Sequence, residues 1–586
     1  MDGQGVTRAV AYILRRNVEG GGRDDDLRHT DYRVVAGMRG DPLPGISYDA
    51  YYQTGHTLRQ ETYFNDFSVT RLNFALDIVT DPATGLPTCR AVLQGNAAAA
   101  GCVPYNVFQT GGVTPAALNY LQTPGFQRGS IDENIAHIDA TLTGSTYGLQ
   151  SPWSDTGLGL NVGAEYRKEA LDFKVDQEFS QGDLAGQGGP TPPVSGHFDV
   201  REIFGELQVP IVEHNFIEEF SLDGAYRHST YHVGGNDFST NTYKIEARLA
   251  PIPDIRFRAS YNRAVRAPNI VELFFPQALG LSGNSDPCAG ATPVASLAQC
   301  QLSGVTAAQY GTITPNPAAQ YQALFGGNPN LKPEIADTWT AGVILQPRFI
   351  PGLALTADYF NIHVNNIIGS LGFSQVLNGC MGFGGTPQDP TLCSFIHRSG
   401  KGSLWIGPNA FISLLNINQP GLGLSTRGVD LNGSYSHRLG GLGTLNLAFV
   451  GTYLKKLENP HFGVNCAGLY ADVCGTPNPK WRHKARATLT MPNGIGASIA
   501  WRYFSGVDAA PGQGAVGADK HMAAQSYFDL SLTARMQQRL NLRLGVNNIF
   551  DREPPIVGAP AANGNTFPQV YDALGRYLYA GFTVDF

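Results

Sequence analysis

The sequence predicts an all-β protein, an antiparallel transmembrane β-barrel of about 18 strands with short turns at one end and long loops at the other. Three observations lead there. Side-chain character repeats with a period of two almost throughout, as it does in strands with one apolar and one polar face. Only 15% of the residues are charged while 42% are hydrophobic, against roughly a quarter charged in an ordinary soluble domain. The connections between strand-like runs alternate between short and long.

Composition narrows the class further. The 586 residues include 70 Gly and 37 Pro, which suits a chain with many turns. Apolar residues are plentiful but dispersed, and no run approaches the roughly 18 that a membrane helix needs. The opening MDGQGVTRAV lacks a basic segment followed by an apolar one, so no secretory signal is read there. A net charge of −7, without long basic runs, argues against nucleic acid as a partner.

Taken in order, the first strand is expected near residues 7 to 16, and GDPLPG (40–45) forms the first short turn. A long connection follows over 60 to 133. Within it TPAALNYLQ reads as a short helix with Thr114 as N-cap and Pro115 in the first turn. VPIVEHN (209–215) and APIPD (250–254) are short turns. Around the second, Ile245, Ala247 and Leu249 oppose Lys244, Glu246 and Arg248, and Ile255, Phe257, Ala259 and Tyr261 oppose Arg256, Arg258, Ser260 and Asn262.

Short connections at 346–352, 437–443, 491–494 and 537–539 then separate long loops at 265–334, 368–411, 455–480, 505–525 and 551–570. Leu530 and Leu532 alternate with Ser531 and Thr533, and Leu542 and Leu544 with Asn541 and Arg543. The closing YLYAGFTVDF keeps alternating to Phe586. A soluble sandwich also alternates. Few charges, one-sided long loops, and 30 Phe with 25 Tyr favour apolar side chains outward against lipid and polar ones inward. The inner charges Lys244, Glu246, Arg248, Arg256 and Arg258 are then expected in cross-strand pairs. No linker divides the chain, so residues 1–586 read as one barrel domain.

Eight cysteines fall into close pairs: Cys89 with Cys102, Cys288 with Cys300, Cys380 with Cys393, and Cys466 with Cys474. Each pair lies between strand-like runs, without the C-x-x-C spacing of zinc sites. Four local disulfides in an oxidising compartment are favoured over eight independent thiols.

Other chemistry finds little support. GQGAVG (512–517) matches a dinucleotide-binding pattern without the strand and helix that should flank it. His228 and His232 are four apart, about 13 Å along a strand, too far to share a metal. Asp24, Asp25, Asp26 and His29 read as a solvated loop tip lacking a calcium-loop pattern. With no HExxH, no GxSxG and no phosphate-binding loop around Lys401, no catalytic residue, metal or cofactor is assigned and the chain reads as a non-enzyme.

Three ordered segments carry a resemblance. SYNRAVRAPNIVELFFP holds Arg263, Arg266, Pro268 and Glu272; NPNLKPEIADTWTAGV holds Asn330, Pro333 and Glu334; LRLGVNNIFDREPP holds Asn547, Asn548, Phe550 and Asp551. Together they resemble the barrel of TonB-dependent outer-membrane receptors. The resemblance implies an energy-coupled receptor in the Gram-negative outer membrane for a scarce nutrient of the siderophore, cobalamin or oligosaccharide class. It also implies small-molecule ligand contacts from the loops at 265–334, Cys380–Cys393 and Cys466–Cys474. The lipid bilayer and the barrel-assembly machinery, which reads a terminal aromatic such as Phe586, are the implied partners. The family barrel has twenty-two strands, a plug and a segment that contacts TonB. The chain is accordingly expected to be a C-terminal portion, with first and last strands as unmatched edges. A passive porin-like channel and a soluble secreted β-protein are the alternatives.

Overall fold

A computed structural model describes residue 15 and residues 17–584, apart from 284, 385, 387, 408, 420–422, 460–463, 472–473, 512–516, 537–538 and 559–563. Strands dominate it. The first are β1 (Asp24–Leu43), β2 (Ile46–Phe67), β3 (Gln122–Thr143), β4 (Gly159–Val175), β5 (Val194–Glu213), β6 (Glu219–Val233) and β7 (Asn236–Ile252). Then come β8 (Ile255–Arg266), β9 (Glu334–Leu345), β10 (Leu353–Asn365), β11 (Gly423–Arg438) and β12 (Thr444–Asn459). The last are β13 (Trp481–Thr490), β14 (Ile495–Phe504), β15 (Gln525–Met536), β16 (Leu540–Asn547) and β17 (Tyr577–Val584).

Each strand pairs antiparallel with the next, which makes one up-and-down sheet; its eighteenth member is the two-residue strand Val464–Asn465 beside β12. The strand expected at 7 to 16 lies outside the described residues except for Arg15, which is in no strand. Among the described residues no pairing joins β1 to β17, so both are edges.

Turns and loops segregate as the sequence predicts except at 144–158, a long connection at the short-turn end. Pro44 and Gly45 alone join β1 to β2, with Gly45 at φ +73°, a conformation that glycine adopts without steric cost. The same end carries 253–254, 346–352, 439–443 and 491–494. The opposite end carries 68–121, 267–333, 366–422, 460–480, 505–524 and 548–576. The helix expected in the first long loop is present as Pro115–Leu121, where the Ala117 N–H donates to Thr114 Oγ1 at 3.2 Å.

Three further features depart from the sequence reading. The first long loop spans 68–121 rather than 60 to 133, because β2 and β3 run for 22 residues each where about 9–11 cross a bilayer. Their outer ends run on past the bilayer, where Glu61 and Asp66 of β2 and Thr123 and Ser130 of β3 are buried, and they lose the apolar alternation. Gly234 and Gly235, at φ +50° and +96°, turn β6 into β7 within two residues at the long-loop end. Asp24, Asp25, Asp26 and His29 are not at a loop tip but within β1, paired along β2, where successive side chains point to opposite faces.

The two faces of the sheet differ in kind. One exposes Ile138, Ile203, Ile245 and Leu532, each more than half accessible, and an aromatic band including Tyr52, Tyr166, Tyr226, Trp339, Tyr359, Tyr453 and Trp501. Such a surface belongs against lipid, with the aromatics at its boundary. The other face is charged along the strand centres. Lys244 meets Asp223 and Glu206 at 2.6 and 2.9 Å, Arg256 meets Glu219 at 2.8 Å, and Arg258 meets Asp358 at 2.6 Å. Arg248 pairs with Glu246 on its own strand. The buried hydrophobic clusters lie in the long loops and the strand ends beside them. A sandwich would instead bury its core between two sheets.

Candidate functional site

β8 ends at Arg266, and this side chain organises the roots of the two longest loops. Its guanidinium donates to Glu334 at 2.7 and 2.7 Å and to Glu272 at 2.9 and 3.0 Å. Glu272 is the third residue of the helix Ile270–Phe274 and accepts from the Asn269 N–H at 2.9 Å, while Asn269 Oδ1 accepts from the Glu272 N–H at 2.8 Å. That reciprocal cap fixes where the chain turns off the strand. Glu334 also accepts from the Ile368 N–H, at the base of the following loop, at 2.8 Å. Next to this grip, Arg263 donates to Asp337 at 2.9 and 3.1 Å.

The remaining residues of the first two motifs support the same corner. Pro268 is buried. Asn330 Oδ1 accepts from Asn236 Nδ2 at 2.9 Å, tying the loop to the start of β7. Pro333 directly precedes Glu334, and its ring fixes φ and biases Lys332 before it away from the helical region. Ile270, Leu273 and Leu331 are buried against Phe198, Val200 and Tyr231 of β5 and β6. Phe274 lies across Gly196, where a Cβ would come within 2.3 Å of its ring. The loop root therefore packs onto the sheet just inside its mouth.

Beyond the roots, segments 267–333 and 366–422 fold into one head. Tyr321–Gly326 pairs antiparallel with Ala278–Ser282 and parallel with Phe411–Leu415, which in turn pairs with Ile396–His397. Tyr321, Val376, Leu377, Met381, Leu404 and Ile412 fill its core. Arg398 and Asp286, at 4% and 0% side-chain exposure, form an ion pair at 2.6 Å. Arg398 further donates to the carbonyls of Ser303 and Gly402 at 3.1 and 2.9 Å. Burial of this charge is tolerable because its donors are matched on several sides.

The cysteines stand in the pairs that their spacing favours. Cα–Cα distances are 6.3 Å for Cys89 and Cys102, 5.7 Å for Cys288 and Cys300, 4.8 Å for Cys380 and Cys393, and 5.3 Å for Cys466 and Cys474. Two of these bridges lie in the head. The last belongs to a second loop cluster, in which Tyr470, Val507, Met522, Phe567 and Tyr571 pack together. Burial there pushes the Tyr571 phenol up to about 12.

The third motif builds the exit from β16. Asn547 pairs with Tyr577 of β17. Asn548 is fully buried at φ +51°, its N–H donating to Asp529 Oδ1 at 3.0 Å and its side chain bonding both backbone groups of Arg552 at 2.9 Å. Asp551, at φ +54°, accepts from the Arg576 N–H at 2.7 Å. Phe550 is 72% exposed and packs edge-on against Phe528. The motif residues thus sit at loop roots. Phe586 lies outside the described residues.

Residue-type reasoning missed the Asp286–Arg398 pair, whose members are 112 positions apart. It also passed over the basic run on β13, although the alternation of RHKAR (482–486) was there to be read.

A barrel-type sheet with an apolar exterior, a charged inner face and disulfide-bridged loops at one end defines a class of outer-membrane receptor. The chain belongs to the family described as TonB dependent receptor-like, beta-barrel, whose model matches residues 13–549. Members are barrel proteins of the Gram-negative outer membrane that serve nutrient uptake, and the family is one of receptors and transporters, not of enzymes. A search of curated protein sequences finds no match. Among solved structures, a mutant of the ferric enterobactin receptor PfeA from Pseudomonas aeruginosa, in complex with enterobactin, is similar at 15% identity and a TM-score of 0.54, covering 96% of this chain and 71% of that one. The siderophore receptor PirA from Acinetobacter baumannii is similar at 11% identity and a TM-score of 0.52, covering 96% and 63%. At these identities the likeness is one of fold.

Proposed function

We propose that this chain is the barrel and loop portion of an active outer-membrane importer that takes up a scarce nutrient, with energy supplied through TonB. The family match over residues 13–549 carries the reading. Three features support it. The apolar band suits insertion in the bilayer, the charged inner wall suits passage of a polar solute, and the head built from 267–333 and 366–422 stands where a solute would first arrive. The ligand is of the iron-chelate class, by likeness of fold to receptors whose structures name enterobactin or siderophores. Capture falls to the head and to the Cys466–Cys474 loop. Residues 1–586 act as one barrel domain.

The test is uptake. The receptor is produced from its own gene in a host lacking its own iron-chelate receptors, and accumulation of radioactive iron is followed for a panel of ferric chelates, with and without a functional TonB. Saturable accumulation that disappears without TonB supports the reading. Accumulation that persists without TonB and rises linearly with concentration would replace it with a passive channel.

A further inference from the structure

The connection 144–158 is long at the end where the other connections are short. It is a folded piece of chain. The Gly144 N–H donates to the Leu158 carbonyl at 2.7 Å, the Leu158 N–H donates to the Leu149 carbonyl at 2.9 Å, and Gln150 pairs with Gly157. Glu213, the last residue of β5, clamps it from the side. Its N–H donates to the Trp153 carbonyl at 2.8 Å, and its carboxylate accepts from Ser154 Oγ at 2.7 Å and from the Thr156 N–H at 3.0 Å. Tyr147 reaches the turn between β1 and β2, its hydroxyl donating to the Pro44 carbonyl at 2.8 Å. A connection tied at so many points presents its side chains in fixed directions.

Trp153 is held on the face that meets lipid. Its backbone pairs with Val212 of β5, and Val212 stands opposite Phe220 of β6. Paired residues share a face. Phe220 lies on the same side as Leu222 and Tyr226, both exposed on the apolar exterior, because side chains two apart on a strand point the same way. Val212 is 2% exposed among these neighbours, whereas Trp153 is 49% exposed and Phe216, packed edge-on against it, 67%. Depth follows from the strand. Arg201 of β5 stands opposite Tyr166 of the aromatic band on the long-loop side, and the stretch from Arg201 to Val212 matches the about 9–11 residues that carry a tilted strand across a bilayer. Trp153 and Phe216 therefore stand at the other boundary of the bilayer.

We infer that the connection 144–158 is a membrane foot: together with Phe216 it seats Trp153 in the phospholipid leaflet at the short-turn end, continuing the lipid-facing surface of β5 and β6 past the strand ends. An indole suits that boundary, its ring among the acyl chains and its N–H toward the headgroups. The contact is apolar, since 144–158 contains no Lys or Arg. A water-soluble protein docked on the same two rings is the competing occupant. The test is fluorine NMR of the receptor, produced from its own gene with fluorotryptophan and placed in phospholipid nanodiscs, both faces of which are open to water. The Trp153 signal is the one lost in Trp153→Phe. It should broaden when the lipid carries a nitroxide near the headgroup end of its acyl chain, as strongly as the signal of Trp501 in the aromatic band, and it should stay sharp with a water-soluble gadolinium chelate. Raising the salt should change neither response by more than about twofold. Broadening by the chelate with none from the lipid nitroxide overturns the foot and makes the two rings a surface for a soluble partner. A lipid response that collapses in salt overturns it as well, since the contact would then be electrostatic.

Discussion

Arg398 shows what one buried charge does in this protein. It bridges Asp286 and two backbone carbonyls from separate parts of the head, so Asp286→Asn leaves a guanidinium buried without its counter-ion. Breaking such a pair costs about 3–5 kcal/mol. The loss should appear as faster amide exchange at Ala323 and Ile412, with exchange in β13–β16 unchanged. Asp183 offers a pH test outside the membrane. Burial raises its pKa, but hydrogen bonds from Ser68 and Thr70 outweigh this and hold it below the ordinary carboxylate value. A lowered folded pKa contributes stability that is present above the unfolded value of about 3.9 and lost as pH falls through the folded one. The protection factor of the Thr70 amide, which donates to Asp183 Oδ1 at 2.8 Å, taken relative to the intrinsic exchange rate at each pH, should therefore be high at neutral pH and fall in strong acid. Arg266, Glu272 and Glu334 were recognisable as motif residues, yet their mutual contact was not, because it joins positions 68 apart.

At the scale of elements, strands and loops answer to different forces. The strands expose an apolar face that only lipid covers, so a charge at its middle is costly: Leu532→Arg should destabilise the inserted barrel by about 2–4 kcal/mol, read from reversible unfolding in lipid vesicles. The loops hold by their own cores and bridges. Closing a loop of about 15 residues with a disulfide is worth about 3 kcal/mol, and the Cys288–Cys300 and Cys380–Cys393 separations, 12 and 13, are of that order. Reduction should open the head to limited proteolysis within 267–333 while the strand signal in circular dichroism persists. Strand faces were legible because the membrane enforces a period of two; the outer halves of β2 and β3 were not, since beyond the bilayer no lipid-facing side has to be apolar.

For the whole molecule, the meander order and the division into a short-turn end and a long-loop end followed from alternation and spacing alone. So did the local cysteine pairs, since 8 to 13 residues of separation leave little choice of partner. Each is a local property: a strand's two faces and a short loop's closure are set by residues near in sequence. Tertiary structure alone decided the merging of segments 267–333 and 366–422 into one head, where a parallel pairing joins Ala323 to Ile412. It alone showed which acids neutralise Lys244 and Arg258. How a charge is matched depends on neighbours brought in by other strands, and no pattern within one strand records who those neighbours are.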